Sequence, residues 1–239
     1  MFAVALIVGG CSRDGTQELS VDLAESRAVT FSTADGVRLA GRLFGEGDVG
    51  VVLSHMLPAD QTSWWAFART MADEGYVVLT FDFRGYCPGG DAGCSSGTRD
   101  ISEIWLDVLG AVEFLQGQGA RRIVLVGASM GGTASLVAAA QPGVDVTAVV
   151  TLSAPTSIEG LTADASTLAE ITAAKLFVAG NGDPMGAAEA ARQLLAQSQP
   201  PRRLEIVDSS DHGTDLLNHG QAEYVQTLLL DHLDEWARV

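Results

Sequence analysis

The chain is poor in basic residues: it has 14 Lys and Arg against 30 Asp and Glu, and its formal net charge is −16. Nucleic acids and anionic membrane surfaces do not attract so acidic a protein, so neither is expected as a binding partner. Internal repeats and low-complexity tracts are also lacking after residue 25. The 239 residues, 47% of them hydrophobic, therefore have the size and composition of one globular domain with a sizeable core.

Long hydrophobic runs are absent as well. The apolar run at residues 2–8 is far shorter than the roughly 20 residues that span a bilayer. Its last residue begins the sequence VGGC at residues 8–11, which resembles the lipobox of bacterial lipoproteins, where the cysteine is lipidated and becomes the mature N-terminus. We therefore expect a signal segment at residues 1–11, a polar tether at residues 12–25 and an extracytoplasmic protein. A lipid on Cys11 would be its sole link to the bacterial cell membrane.

The N-terminal pattern departs from a secretory signal in one respect. No Lys or Arg precedes the apolar run, although the start of such a signal is positively charged. If residues 1–11 are a signal, the true start of translation is then expected upstream of Met1. The alternative is a short buried strand at the N-terminus of a cytoplasmic protein.

Cysteines are scarce, and their positions bear on the compartment. The chain has three, and if Cys11 carries lipid, Cys87 and Cys94 remain as a pair around the loop CPGGDAGC. A short Pro- and Gly-rich loop can bring two sulfur atoms together, so we expect a disulfide, which persists in an oxidising compartment. Two free thiols are the alternative. No histidine lies near this loop, and neither a metal cluster nor a phosphate-binding glycine loop is evident, so no metal or cofactor is expected.

Buried apolar runs alternate with segments of helical periodicity along the rest of the chain. Each run suits a parallel strand covered on both faces, and the alternation predicts an α/β fold with helices on both sides of a mostly parallel, twisted sheet. The runs are VGVVLSH, YVVLTFDFRG, RIVLVG, VTAVVTLSA, AAKLFVAG and RRLEIVD. Ahead of them, AVTFSTADGVRLAGRLFG predicts an antiparallel hairpin that turns at Ala34, Asp35 and Gly36. Functional residues of such sheets gather beyond the carboxyl ends of the strands.

The motif GASMG at residues 127–131 joins a predicted strand directly to a predicted helix. This G-x-S-x-G pattern lifts the serine hydroxyl above the sheet edge on a strained turn, and glycine stands on either side because larger residues would collide. The N–H groups at the start of the helix then face a developing oxyanion. We expect Ser129 to be a nucleophile. The alternative is a serine that only starts a helix.

A serine nucleophile needs a base, and the base needs an orienting acid. His212 follows the last predicted strand, in DSSDHGTD, whereas the other three histidines precede the serine or belong to the terminal helix. Asp183 follows an earlier strand, in NGDP. These two residues are the expected base and acid, and Asp208 and Asp211 are the rivals for the acid.

An oxyanion hole requires two N–H donors. One is expected from the backbone of Met130, directly after the nucleophile. The other is expected from Leu57 or its neighbour Met56, in the loop after VVLSH. The Met130 side chain is expected to line the acyl pocket.

These residues together resemble the α/β-hydrolase superfamily, in particular small esterase-like members related to serine aminopeptidases and dienelactone hydrolases. The resemblance rests on DGVRLAGRLFG, VVLSHM, GYVVLTFDFRGY, GASMGG, VAGNGDP and DHG, from residue 29 to the C-terminus, and sets the domain at residues 26–239. It implies a serine hydrolase that cleaves small carboxylic esters through an acyl-enzyme. Residues 154–173, where relatives insert a lid, are too short for more than a minimal one.

Two departures limit the resemblance. The chain has Met56 after His55, where a glycine usually stands in the oxyanion loop. The expected nucleophile is also a serine where dienelactone hydrolases use cysteine, so their substrate is not implied. An aminopeptidase-like amide hydrolase and a non-catalytic, surface-anchored binding protein on the same fold are the alternatives.

Overall fold

A computed structural model of the chain describes Leu23, residues 25–88 and residues 93–238. The predicted signal segment with Cys11 lies outside the described residues. So does the predicted tether, apart from Leu23 and Glu25.

The described residues form an eight-stranded sheet and a separate two-stranded hairpin. The strands in chain order are β1 (Ser26–Ser32), β2 (Arg38–Phe44), β3 (Val49–Ser54), β4 (Val77–Phe81), β5 (Arg122–Ala128), β6 (Ala148–Leu152), β7 (Ser157–Ile158), β8 (Leu161–Thr162), β9 (Ala174–Gly180) and β10 (Arg202–Val207). The large sheet has the order β1-β2-β4-β3-β5-β6-β9-β10. β2 is antiparallel to both of its neighbours, and the remaining pairs are parallel.

The apolar runs occupy the centre of the sheet, as their composition requires. Every residue of β3, β4, β6 and β9 is buried, because helices cover both faces of these strands. β1, at one edge, is mostly exposed. The predicted antiparallel N-terminal hairpin and the mostly parallel sheet are both confirmed.

Helices cover the two faces of the sheet unequally. They are α1 (Trp65–Asp73), α2 (Ile104–Gly117), α3 (Met130–Ala139), α4 (Ala165–Glu170), α5 (Ala187–Gln197) and α6 (Ala222–Ala237). α2, α3, α4 and α5 contribute to the core cluster on one face, and α1 and α6 to that on the other. No helix in the described part of the chain is long and apolar enough to cross a membrane.

The segment between β6 and β9 is compact. It holds the β7–β8 hairpin and the short helix α4. This agrees with the minimal lid that the sequence predicts. A cavity at the carboxyl ends of β5 and β6 is lined in part by this segment.

The loop after β4 brings Cys87 and Cys94 together. Their Cα atoms lie 4.1 Å apart, and their sulfur atoms are at disulfide distance. Tyr86 and Ser95 flank the two cysteines. The Ser95 N–H donates to the Tyr86 carbonyl at 2.9 Å, which holds the two ends of the loop side by side.

Candidate active site

Ser129 stands at the turn from β5 into α3 with a positive φ of 48° and a ψ of −119°, a conformation that is strained for a residue with a side chain. A Cβ atom on Gly127 would lie 2.2 Å from the Gly131 carbonyl oxygen. One on Gly131 would lie 2.4 Å from the Ser54 carbonyl oxygen, on the neighbouring strand. Both separations are impossible for a side chain, so the two glycines permit the turn that presents Ser129.

The Ser129 hydroxyl has no structural task in this turn. Its side chain makes no capping hydrogen bond to α3, which argues against a serine that only starts a helix. The backbone is held instead: Ser129 N–H donates to the Leu152 carbonyl of β6 at 2.8 Å. The residue is 6% exposed, and it lines a cavity of about 230 Å³ together with His212.

His212 and Asp183 come together from the loops after β10 and β9. His212 Nδ1–H donates to Asp183 Oδ2 at 2.7 Å, and the Asp183 side chain is fully buried. The other carboxylate oxygen, Oδ1, accepts the Met185 N–H at 2.9 Å, which fixes the rotation of the carboxylate. Since Nδ1 carries the proton, Nε2 of His212 is left with a free lone pair. Nε2 is buried and has no hydrogen-bond partner among the described residues.

The loop that carries His212 is packed against the loop after β3. Gly213 has φ 57°, and a Cβ atom there would lie 2.4 Å from the Met56 sulfur. The Thr214 hydroxyl also contacts that sulfur, at 3.8 Å. Met56 thus supports the histidine loop with its side chain, a contact that the sequence pattern did not indicate.

The rival acids are engaged elsewhere. Asp208 accepts a hydrogen bond from Asn181 Nδ2 at 3.0 Å. Asp211 accepts one from the Ser209 hydroxyl at 2.7 Å, and its second oxygen faces His219 at 3.4 Å. Of the three aspartates considered for the acid, Asp183 is the one bonded to His212.

Two backbone N–H groups were expected at the oxyanion, that of Met130 and that of either Leu57 or Met56. Within the described residues, no hydrogen bond is donated by the N–H of Met130, Met56 or Leu57. The Met130 side chain, in contrast, is fully buried in the core cluster on the α3 face and does not line the cavity. The prediction that it lines the acyl pocket is wrong, because the first turn of α3 directs it into the core.

His55, at the end of β3, orders the loop that holds Met56 and Leu57. The Phe83 N–H donates to His55 Nε2 at 3.2 Å, so the ring proton is on Nδ1, and it is donated to the Met56 carbonyl at 2.9 Å. Burial lowers the pKa of His55 to about 4, which keeps the ring neutral at neutral pH. The ring packs against Phe83 and Tyr86, with centroids 4.8 and 4.6 Å away.

The orientation of one peptide unit follows from this bond. In a trans peptide the C=O and the following N–H point in opposite directions. Because the Met56 carbonyl points to the His55 ring, the Leu57 N–H points away from it. Sequence reasoning set His55 aside because it precedes Ser129, and only its contacts indicate its part in the site.

The cavity beside Ser129 is lined mostly by apolar side chains. They come from the segment after β6 and from the start of α5, namely Pro155, Ile158, Met185, Ala187 and Ala190. Met185 lies at the mouth of the cavity and is 72% exposed. No cluster of three or more potential metal ligands occurs in the described ranges. The cavity is therefore suited to a short apolar group placed next to a hydroxyl and an imidazole.

Comparisons with known proteins agree with this architecture. An esterase from Pyrococcus furiosus has a TM-score of 0.76 and 19% identity, over 89% of this chain and 93% of that chain. The esterase domain of a Rhodothermus marinus protein has a TM-score of 0.67 and 22% identity, over 88% and 99%. An enol-lactonase from Burkholderia xenovorans has a TM-score of 0.69 and 18% identity, over 86% and 99%. The chain is similar to these proteins in fold.

The sequence itself identifies the family. A comparison with curated proteins finds no match. The family model of the α/β hydrolase fold matches residues 51–172, which are 122 of the 239 residues and run from β3 to beyond α4. The chain belongs to the α/β-hydrolase fold family.

Proposed function

We propose that this protein is a serine hydrolase that cleaves short carboxylic esters through an acyl-enzyme. The observation that carries the proposal is the pairing of His212 with the buried Asp183 beside the cavity that Ser129 lines. The bond to Asp183 leaves Nε2 of His212 as a free base, and the turn leaves the Ser129 hydroxyl without a structural role. A base held by an acid and a hydroxyl free of other tasks are two of the features that nucleophilic catalysis by serine needs. The third, a hydrogen bond from the Ser129 hydroxyl to His212 Nε2, is not formed among the described residues and is expected to form when substrate binds.

In the first half of the reaction, the Ser129 hydroxyl attacks the ester carbonyl and His212 Nε2 takes its proton. Asp183 stabilises the resulting imidazolium through the Nδ1–H bond. The tetrahedral intermediate then collapses, and the imidazolium gives its proton to the departing alcohol. Water attacks the acyl-enzyme in the second half, with His212 again as base, and the acid is released.

The negative oxygen of the intermediate accepts hydrogen bonds from Met130 N–H and Leu57 N–H. Both groups are without a partner in the described structure, and Met130 is the first residue of α3, where the positive end of the helix dipole lies. We prefer Leu57 to Met56 as the second donor, because the Leu57 N–H belongs to the same peptide unit as the Met56 carbonyl. The hydrogen bond from His55 to that carbonyl therefore fixes the direction of the Leu57 N–H. His55 is then a positioning residue for the oxyanion hole.

Short esters are favoured by the size of the cavity. Its volume of about 230 Å³ is below the range of roughly 300–1,000 Å³ that is usual for pockets of drug-sized ligands. The structural neighbours named above, two esterases and an enol-lactonase, also favour esters over amides.

A fluorophosphonate probe tests the nucleophile. We expect stoichiometric labelling of the native protein at neutral pH and none of the Ser129→Ala variant. Ser157→Ala is the matched control, because Ser157 lines the same cavity and its hydroxyl is already paired with Thr162 at 2.8 Å. Labelling that survives in Ser129→Ala would refute Ser129 as the nucleophile, and absence of labelling from the native protein would favour a binding protein.

The ester assignment is tested separately with a substrate panel. We expect kcat/KM for p-nitrophenyl esters to be highest for acyl chains of about two to four carbons, because longer chains exceed the cavity. Aminoacyl p-nitroanilides are expected to be turned over far more slowly. Faster cleavage of the anilides would indicate an amide hydrolase of the aminopeptidase type.

The positioning role of His55 predicts a specific kinetic defect. His55→Phe keeps a ring of similar size but leaves the Met56 carbonyl and the Phe83 N–H without their partner. We expect kcat to fall by about 10- to 100-fold with little change in KM, because one oxyanion donor loses its orientation. Buried His232, which no part of the mechanism uses, provides the control His232→Phe. Equal losses in the two variants would mean that His55 is merely structural.

A further inference from the structure

Ser153 is the immediate neighbour of the nucleophile on the sheet edge. It directly follows β6, and the parallel register pairs Leu152 of β6 with Ala128 of β5, so Ser153 and Ser129 occupy equivalent positions on adjacent strands. β6 lies between β5, which leads to Ser129, and β9, which leads to Asp183. Ser153 N–H donates to the Val178 carbonyl of β9 at 2.8 Å, which fixes its place between the two.

The Ser153 side chain is buried at the cavity, and its hydroxyl makes no hydrogen bond within the described part of the chain. The residue is 1% exposed and lines the cavity beside Ser129 and His212. Its Oγ has no partner among the described residues. The hydroxyl of Ser157, on the same cavity, differs because it is paired with Thr162.

Two unfavourable features therefore coincide at this residue. Its φ of 55° is costly for any side chain other than glycine, and an unpaired buried hydroxyl is costly in itself. Alanine at this position would remove the unpaired hydroxyl, and glycine would remove both the hydroxyl and the backbone strain. Neither would change the fold of the strand. Strain and unsatisfied polar groups that persist together beside a reactive group point to a role in binding.

We propose that Ser153 is a specificity residue that pairs with an oxygen atom of the substrate, and that the preferred substrates are short esters bearing a hydroxyl or carbonyl oxygen near the ester bond. This inference rests on the proposed function. Adjacent strands lie about 4.8 Å apart, a distance that about three or four single bonds span. The oxygen is therefore expected at about the third atom from the ester carbonyl, in either the acyl or the alcohol part.

The chemistry of a hydroxyl suits both kinds of substrate oxygen. The Ser153 hydroxyl donates to a carbonyl and either donates to or accepts from a hydroxyl. An unsubstituted alkyl ester fills the same apolar cavity but leaves Oγ unpaired. Sites that bury a polar group discriminate against substrates that do not satisfy it.

Matched pairs of esters test the proposal. The acyl arm compares ethyl 3-hydroxybutyrate with ethyl butyrate, and the alcohol arm compares 2-hydroxybutyl acetate with butyl acetate. Their hydroxyl oxygens are three and four bonds from the ester carbonyl carbon, and release of acid is followed by titration. We expect the native protein to prefer the hydroxylated ester by about tenfold in kcat/KM in one of the two arms. Ser153→Ala should reduce that preference to about one, while kcat/KM for the unsubstituted ester is unchanged or rises.

Two further variants guard against an ambiguous result. Ser153→Gly also removes the hydroxyl and accepts the positive φ, so it should behave like Ser153→Ala even if alanine is poorly tolerated. Ser157→Ala should keep the native preference. No preference in either arm, or equal loss of both esters in Ser153→Ala and Ser153→Gly, would overturn the proposal.

A binding measurement separates this inference from the proposed function. In Ser129→Ala, which should not turn over esters, NMR titration is expected to give about tenfold tighter binding of the hydroxylated ester in the preferred arm. Adding Ser153→Ala should abolish the difference. If the native protein fails to react with the fluorophosphonate probe, the hydrolase assignment fails, but this titration still decides whether Ser153 recognises a substrate oxygen.

Discussion

Replacing His212 with alanine is expected to lower kcat for ester hydrolysis by about 10⁴- to 10⁶-fold while KM changes little. The loss is this large because the Ser129 hydroxyl then has no base, and the leaving alcohol has no acid. Asp183→Asn should lower kcat by about 10⁴-fold, since an amide at this position no longer selects the tautomer that leaves His212 Nε2 free. Steady-state kinetics with a p-nitrophenyl ester measure both effects.

The double variant and a surface histidine complete this test. His212→Ala combined with Asp183→Asn should be hardly worse than His212→Ala alone, because the carboxylate acts through the imidazole. His219→Ala is the control, since His219 is an exposed histidine that faces Asp211 instead. A His212→Ala variant within tenfold of native kcat would rule out the proposed base.

The second large effect is expected at the turn beneath the nucleophile. Gly131→Ala places a methyl group 2.4 Å from the Ser54 carbonyl oxygen and 2.6 Å from that of His55, and both are backbone atoms that cannot swing aside. We expect the free energy of unfolding to fall by about 2–3 kcal/mol, in the range of overpacked cores. Labelling of Ser129 should also slow by at least about 100-fold, because the turn that presents it is displaced.

Gly117→Ala provides a matched comparison for this substitution. Gly117 is the last residue of α2, and a Cβ atom there meets nothing within 4 Å. Alanine at such a position should leave activity unchanged and stabilise the fold by about 0.5–1 kcal/mol. Denaturant unfolding of the two variants gives the comparison, and equal stabilities would contradict the steric account of the turn.

Local features of the site were predictable because local sterics determine them. A strand that passes straight into a helix at GASMG forces Ser129 to adopt a positive φ and requires glycine at residues 127 and 131. The alternation of apolar runs with helical periodicity likewise predicted the sheet. Strands formed by those runs are apolar on both faces, and helices that pack on either side of the sheet bury them.

Contacts between distant loops were only partly predictable. The sequence predicted Asp183, 29 residues before His212, as the acid, with two nearer aspartates as rivals, and the hydrogen bond from His212 goes to Asp183. Met56 gives a second example. Its position made its N–H a candidate donor, and only the structure shows that its side chain contacts Gly213 and that its carbonyl accepts a hydrogen bond from His55.

The sequence by itself determined the order of strands and helices, the fold class and the turn at Ser129, because each depends on neighbouring residues or on apolar periodicity. The tertiary structure alone decided which peptide unit the His55 ring orients, and that Ser153, beside the nucleophile, has no hydrogen-bond partner for its hydroxyl among the described residues. These depend on how strands far apart in the chain lie side by side. A hydrogen bond between loops is set by the final packing of the sheet, which no local pattern of residues specifies.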